Sequence, residues 1–288
     1  MERSLLQEIT NDRLSAYLKR TQFDKRYWPS FFPLQYRDEL TWETLQGEEG
    51  AAIKADIVSY NSSAPEKGRE IIGKASGKIT KTTVKRSMRE EDFLMYRRLK
   101  KGAANAEQKR AILDMVFNDV DFVVNAVLAS CEYMSLQAAS TGQLTLDKTN
   151  NNGLITETAI NMGIPSGNKS KVSIVLSDKD SFDFISEVKV VKAAAKKKSV
   201  GLNYMFMDED TLDAILNTKK VKEAYGYLLT STKGTYEGDL FLDDLNGMMR
   251  KYRLPQIIPV SSLIRHEDRD HKRSTLDPWK PGYITFTV

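Results

Sequence analysis

Residues 105–142 read NAEQKRAILDMVFNDVDFVVNAVLASCEYMSLQAASTG, the longest segment of the chain with a helical pattern. Asn105 is a suitable N-cap and Gly142 a suitable C-terminal stop. At 1.5 Å per residue the segment predicts one helix about 50 Å long, which we call the spine helix. Apolar residues at steps of three and four give it a predicted buried face: Ile112, Val116, Val120, Val123, Val127, Cys131, Met134 and Ala138.

The composition excludes several classes of function. The 43 lysines and arginines exceed the 39 aspartates and glutamates by only four, far from the charge of a dedicated nucleic-acid-binding protein. One cysteine and two histidines supply neither an intrachain disulfide nor a cysteine-built zinc site. We therefore expect no catalytic site, no metal and no cofactor, and so no enzyme. The sequence also lacks a membrane-length apolar run and a secretory pattern, which predicts synthesis in the cytoplasm.

An aromatic segment follows a short amphipathic helix that the sequence predicts within the first twenty residues. Residues 27–33 read YWPSFFP. Two prolines disfavour a regular helix, while four aromatic rings need an apolar surface, so we expect an extended segment. It could lie as a strap across the chain's own core or as an arm on a neighbouring subunit; the sequence alone favours the strap.

A long basic hairpin is predicted after this segment. Residues 51–60 and 70–86 have the composition of strands, and the turn-rich residues 61–68 join them. Eight basic residues lie between Lys67 and Arg89, against one acid. A two-stranded ribbon is marginally stable in water by itself. The hairpin therefore either leans on another chain or lies as an ordinary solvated hairpin on a mixed sheet.

The second half of the chain mixes strands and helices without a regular βαβ repeat, which predicts an α+β fold. The expected strands are 171–176, 202–207, 256–260 and 283–288. The expected helices are 180–198, a helix capped by Asp208, 221–229 and 239–252.

Three charged motifs suggest chemistry, and their surroundings argue against it. Residues 68–75 (GREIIGKA) nearly match a phosphate-binding loop, but Ala75 offers no hydroxyl to magnesium and strand-like residues follow it. Residues 266–271 (HEDRDH) hold both histidines and three carboxylates, but adjacent basic residues are expected to pair with the acids, giving a solvated charged loop. The run Lys196–Lys198 suits the negative end of a helix dipole.

The order of these elements resembles the major capsid proteins of tailed phages, in the group of phage lambda's protein E, which has the Hong-Kong-97-type capsid fold. The resemblance covers nearly the whole chain and lies in order and pattern. It is carried by Phe31-Phe32-Pro33 before the strands, the hairpin ending near Arg89, the helix over 105–139, residues 160–165 (INMGIP) with 181–185 (SFDFI), and residues 204–207 (YMFM) before a capped helix. Family members usually continue past a strand like 283–288.

The resemblance implies an α+β capsid fold with five parts. These are an N-terminal arm at 1–45, an extended loop (β-hairpin) at 46–90, a peripheral domain with the spine helix at 91–150, an axial domain at 151–260 and a return to the peripheral domain at 261–288.

The resemblance also implies a structural role. Copies of the chain would form hexamers and pentamers of an icosahedral head shell that encloses double-stranded DNA without specific contacts. The protein would be made in the host bacterial cytoplasm and located in the virion, with a scaffolding protein, a portal and a decoration protein as further partners, and no membrane. The expected intersubunit contacts are Trp28, Phe31, Phe32, Lys74, Lys78, Lys81 and Lys85. Two alternatives stay open: an encapsulin-like nanocompartment shell, and a nucleic-acid-binding protein that uses residues 67–89.

Overall fold

The computed structural model of the chain describes residues 16–18, 26–39, 41–46, 73–78, 81–84, 90–91, 93–94, 97–98, 106–147, 150–151, 158–172, 175–230, 234–268 and 270–288. Helices and strands are mixed along these ranges, as the sequence predicts. In this part of the chain, no helix has the length and apolar character that crossing a membrane requires.

A single helical turn begins the aromatic segment. Helix α1 spans Trp28–Phe31, so the prediction of an extended segment is wrong for these residues. The physical reason is the position of Pro29 in the first turn, where the missing N–H would have had no helical partner. The chain is irregular from Pro33 to Arg37. Upstream, residues 16–18 are helical, and the Tyr17 hydroxyl donates to Asp121 at 2.7 Å.

The basic hairpin is described in part. Strand β1 (Thr41–Gln46) pairs antiparallel with β2 (Gly73–Lys78), and we call this pair the ribbon. The predicted strand 70–86 is therefore a strand at 73–78 but not at 81–84. Residues 51–68, which contain the other predicted strand and the turn, lie outside the described residues. The sequence reasoning missed β1 because TWETLQ has no clear alternation of apolar and polar residues.

The spine helix is confirmed as one continuous element. Helix α2 spans Ala106–Thr141, 36 residues or about 54 Å. It ends at Gly142, whose φ of 74° lies in the left-handed region that favours glycine. A Cβ at this position would also lie 2.7 Å from the Cδ1 atom of Ile164. The chain then continues into strand β3 (Gln143–Leu146), which pairs antiparallel with β4 (Thr158–Asn161).

The buried face of the spine helix differs from the predicted one. Val123, Val127 and Cys131 are only half-buried, whereas Ala138 is buried as predicted. Among residues 118–141, whose side chains the structure describes, the other buried positions are Glu132, Ser135, Leu136 and Ser140; the side chains of Ile112 and Val116 lie outside the described part. The prediction counted only apolar residues, but a polar side chain is buried at low cost when it finds hydrogen-bond partners. The Ser135 hydroxyl donates to the Glu132 carbonyl at 3.0 Å, and the Ser140 hydroxyl donates to the Gln137 carbonyl at 3.1 Å.

The C-terminal half carries the remaining elements. In chain order they are α3 (Phe184–Lys197), β5 (Tyr204–Asp208), α4 (Glu209–Leu216), α5 (Lys219–Thr230), α6 (Leu242–Lys251), β6 (Gln256–Val260), β7 (Ile264–Glu267), β8 (Arg273–Leu276) and β9 (Thr285–Thr287). The predicted elements of this half are found with small shifts at their ends, with one exception. The predicted strand 171–176 is irregular at its described residues, 171–172 and 175–176, where Val172 and Val175 are exposed.

A three-stranded sheet of order β6-β5-β9 organises this half, with β5 parallel to β6 and antiparallel to β9. The Asp208 side chain caps α4 by accepting the Thr211 N–H at 2.9 Å, as predicted. The helices pack a core around Phe184, Met205, Ile215 and Leu245.

A second cluster joins the spine helix to the sheet. It consists of Leu136, Phe206, Val260 and Trp279. The Thr285 hydroxyl of β9 also donates to the Ala139 carbonyl of the spine helix at 2.7 Å. The C-terminal residues thus pack against both the sheet and the end of the spine helix.

Candidate intersubunit surfaces

A buried carboxylate fastens the N-terminal turn to the spine helix. Glu132 is only 1% exposed, and its carboxylate accepts the N–H groups of Tyr27 at 3.0 Å and Trp28 at 2.8 Å. These two N–H groups begin helix α1 and have no partner inside that helix. The Ser262 hydroxyl, beyond β6, also lies 3.3 Å from the same carboxylate. One side chain therefore joins three distant segments, and sequence reasoning missed it because a lone Glu in a helix gives no signal.

The aromatic rings of the turn pack against the chain's own core. The Phe31 ring lies edge-on to Phe206 with centroids 4.6 Å apart, and its centroid is 6.4 Å from that of Trp279. The Tyr27 hydroxyl donates to the Pro259 carbonyl at 3.5 Å. Residues 26–31 thus form a strap on this chain, the arrangement that the sequence favours, and we keep that name. A contact of Trp28 or Phe31 with another subunit stays a prediction.

Immediately after the strap, apolar side chains face outward. Phe32 is 40% exposed, Leu34 82% and Tyr36 88%. They belong to the irregular stretch that leads to β1, and we call residues 32–36 the exposed arm. Exposed apolar residues so close together are typical of a surface that another molecule covers. Phe32 was expected at such a surface from the aromatic run at residues 27–33, whereas Leu34 and Tyr36 lie beyond that run and gave no signal of their own.

Of the four lysines predicted to contact another subunit, two lie in the ribbon and two follow it in sequence. Lys74 takes the register position opposite Leu45, and Lys78 the position opposite Thr41. Because alternate residues of a strand share a face, Lys74 and Lys78 belong to one face of the ribbon. Lys81 is exposed, and Lys85 lies outside the described residues. The structure thus brings two of the four lysines onto one face.

The histidine-rich motif is a small exposed hairpin. Strands β7 and β8 pair antiparallel, and Glu267 accepts a hydrogen bond from Arg273 at 2.8 Å. The His271 Nδ1 lies 3.0 Å from the same carboxylate. The bonds with His271 and Arg273 lower the pKa of Glu267. The prediction that basic residues pair with the acids of this motif is confirmed for Glu267, although much of the predicted loop is strand.

The groups that could carry chemistry are sparse in the described ranges. No group of His, Cys, Asp and Glu there could hold a metal ion. Burial raises the pKa of the Cys131 thiol, which favours the unreactive protonated form.

A shallow groove of about 210 Å³ lies between α5 and α6, where the Tyr225 hydroxyl donates to Asp244 at 2.8 Å. That hydrogen bond raises the pKa of Tyr225, which makes the phenol a weaker acid.

Comparison with known proteins gives a family match over most of the chain. The family model for phage major capsid protein E matches residues 14–254. Among solved structures, the chain is similar to the crystal structure of a protein assigned as a prophage capsid protein of E. coli CFT073, with 13% identity and a TM-score of 0.36. The match covers 83% of this chain and 56% of that one, so this chain spans little more than half the length of that relative. No curated protein matches significantly.

Proposed function

Because the chain belongs to the phage major capsid protein E family, we propose that it is a shell-forming structural subunit of the head of a tailed double-stranded DNA phage or prophage. The observation that carries the proposal is the family match over residues 14–254. This family is a structural kind of protein, and the sparse chemistry of the described residues agrees with a role based on assembly.

The arrangement of elements supports a Hong-Kong-97-type fold as the finer proposal. The spine helix is longer than a compact core needs, and the sheet of β5, β6 and β9 with its helices occupies the chain downstream of it. In this proposal residues 1–45 are the N-terminal arm and 46–90 the extended loop. The peripheral domain is 91–150, the axial domain is 151–260, and residues 261–288 return to the peripheral domain.

The exposed arm and the ribbon are the surfaces that we assign to contacts between copies. Phe32, Leu34 and Tyr36 together present more apolar surface than single scattered residues would. The ribbon presents Lys74 and Lys78 on one face, with Lys81 following. Lys85 and Trp28 complete the proposed set. Phe31 contributes indirectly, because its ring holds the strap in place for the exposed arm that follows.

The proposed partners follow from the family. Copies of the chain associate as hexamers and pentamers, and a scaffolding protein, a portal and a decoration protein act on the same shell. Double-stranded DNA is enclosed without sequence-specific contacts, which agrees with a net charge of only +4. The proposed location is the virion, after synthesis in the bacterial host.

The experiment is sedimentation velocity of the purified full chain, expressed with and without the neighbouring head genes. We expect ring-sized oligomers and large particles of uniform sedimentation coefficient. DNA mobility shift on the same material should show weak, salt-sensitive and sequence-independent binding at most. A chain that stays monomeric in both preparations and binds DNA tightly would favour the nucleic-acid-binding alternative. Particles that copurify with a cargo enzyme would favour the nanocompartment alternative.

A further inference from the structure

The basic residues of the C-terminal half collect at one end of the parallel strand pair β5–β6. Helix α3 ends with Lys196 and Lys197, seven residues before β5 starts, and α6 ends with Arg250 and Lys251, five residues before β6 starts. The backbone N–H of Gln256 donates to the Asn203 carbonyl at 2.9 Å, which holds the two strand starts together. Both helix ends therefore lie at the same end of the sheet.

Contacts between the two helices confirm this placement. The Lys189 ammonium of α3 lies 4.8 Å from the centre of the Tyr252 ring, just beyond α6. The Lys192 ammonium donates to the carbonyl of Arg253. The Lys198 ammonium reaches the Gly167 carbonyl at 3.4 Å and so brings the loop that carries exposed Lys169 and Lys171 to the same place. We call this surface the basic end.

The helix dipole explains only part of the basic end. Cations in the last turn of a helix are favoured by the dipole, which accounts for Lys196 and Lys197 of α3 and for Arg250 and Lys251 of α6. Lys169 and Lys171 lie in a loop, and Arg253 follows α6 with a positive φ of 55°. Within the described ranges, none of these residues forms an ion pair with a carboxylate. The basic end thus has more unpaired positive charge than the two helices require.

Carboxylates collect at the opposite end of the same strands. Helix α4 begins directly after the last residue of β5 and exposes Glu209, Asp210 and Asp213. Asp277 lies close enough for the charges of Asp208 and Asp210 to contribute to its raised pKa, after the larger effect of burial. We call this surface the acidic end. One cation lies near it in sequence, Lys280, whose ammonium is 5.3 Å from the centre of the Tyr283 ring.

We infer that the basic end of one copy docks against the acidic end of a second copy, in a head-to-tail contact. Charge complementarity supports this contact: in the described part of the chain, neither the lysines of the basic end nor Glu209, Asp210 and Asp213 form an ion pair, and the two groups lie at opposite ends of β5. A head-to-tail contact repeated between identical chains closes into a ring when the rotation from one copy to the next is a whole fraction of a full turn. Such a ring matches the proposed hexamers and pentamers. The inference rests on the proposed function and adds to it the surfaces that meet. DNA bound at the basic end is the competing occupant.

Two charge-reversed chains test the contact. The base-reversed chain is K196E/K197E/K198E, and the acid-reversed chain is E209K/D210K/D213K. Each alone places like charges at the contact, so each should stay smaller than the rings of the wild-type chain. An equimolar mixture should recover ring-sized oligomers, because alternating copies again pair opposite charges at every contact. The matched control K196R/K197R/K198R keeps the charge and should behave as wild type.

The outcomes separate this inference from the proposed function. Circular dichroism first confirms that each variant is folded, and sedimentation velocity then measures its size. If the wild-type chain assembles and both reversed chains assemble equally well, the head-to-tail contact is wrong while the proposed function stands. The head-to-tail contact is also wrong if the equimolar mixture does not form ring-sized oligomers. It is likewise wrong if the base-reversed chain assembles normally and loses only its DNA affinity. A wild-type chain that never assembles contradicts both ideas.

Discussion

The buried carboxylate of Glu132 on the spine helix accepts the backbone N–H of Trp28 at 2.8 Å. The partner is a backbone group, so the bond fixes where the chain runs and does not depend on the Trp28 side chain. It holds the strap on the spine helix and thereby sets the point from which the exposed arm leaves.

Replacing Glu132 with Ala should destabilise the fold by about 2–4 kcal/mol, because the N–H groups of Tyr27 and Trp28 then lose their partner. Urea unfolding measures the change. Glu223, whose ion pair with Lys220 lies at the surface, provides the control, and Glu223→Ala should cost at most about 0.5 kcal/mol. Equal losses for the two variants would mean that the Glu132 contacts do not hold the strap.

Substitutions at the adjacent residues Phe31 and Phe32 are expected to affect folding and assembly differently. Phe31→Ala removes a ring packed on Phe206 and Trp279 and should lower the free energy of unfolding by about 2–4 kcal/mol. Phe32→Ala, at an exposed ring, should cost less than about 1 kcal/mol yet reduce assembly. Unfolding curves and sedimentation on both variants make the comparison. If Phe32→Ala assembles as wild type, the exposed arm does not contact a neighbour through this ring.

The spine helix offers a test of its corrected buried face. Leu136→Ala, at a fully buried position in the cluster with Trp279, should cost about 3 kcal/mol. Val127→Ala, at a half-buried position, should cost about 1 kcal/mol. Thermal unfolding of the pair ranks the two positions. If Val127→Ala destabilised the fold more than Leu136→Ala, the buried face predicted from the apolar spacing would be the correct one.

The ribbon lysines provide the test of the second surface. We expect K74E/K78E/K81E to block assembly while leaving the unfolding midpoint almost unchanged, because the proposal places these lysines at a surface, where a single charge contributes little to stability. The conservative variant K74R/K78R/K81R should assemble normally. Normal particles from the reversed variant would remove the ribbon from the proposed contacts, and a selective loss of DNA binding would support the nucleic-acid alternative.

The Cys131 thiol should react slowly. Burial raises its pKa, so less thiolate is present at a given pH than for a free thiol, and alkylation should reach half its maximal rate at a higher pH. A raised pKa in the folded state means that the protonated thiol favours folding at low pH, and this contribution is lost as the pH rises through the folded pKa. Iodoacetamide labelling at pH 8, native against urea-unfolded, measures the effect. Equal rates would show that the thiol is accessible and unperturbed.

Local patterns in the sequence were enough to predict some parts of the fold. The spacing of apolar residues predicted the spine helix, and Asp208 was correctly expected to cap α4. Local patterns could not predict the burial of Glu132, because it depends on Trp28, about a hundred residues away. The burial of Leu136 depends in the same way on the still more distant Trp279. The helical turn at Pro29 was missed because proline was read as a helix breaker without regard to its position in the first turn.

Electron microscopy of the purified full chain, expressed together with the neighbouring head genes, shows directly whether the chain forms a shell. We expect closed isometric shells of uniform diameter, built from rings of this chain. Fields that contain only small, unassembled particles, from material that circular dichroism shows to be folded, would contradict it.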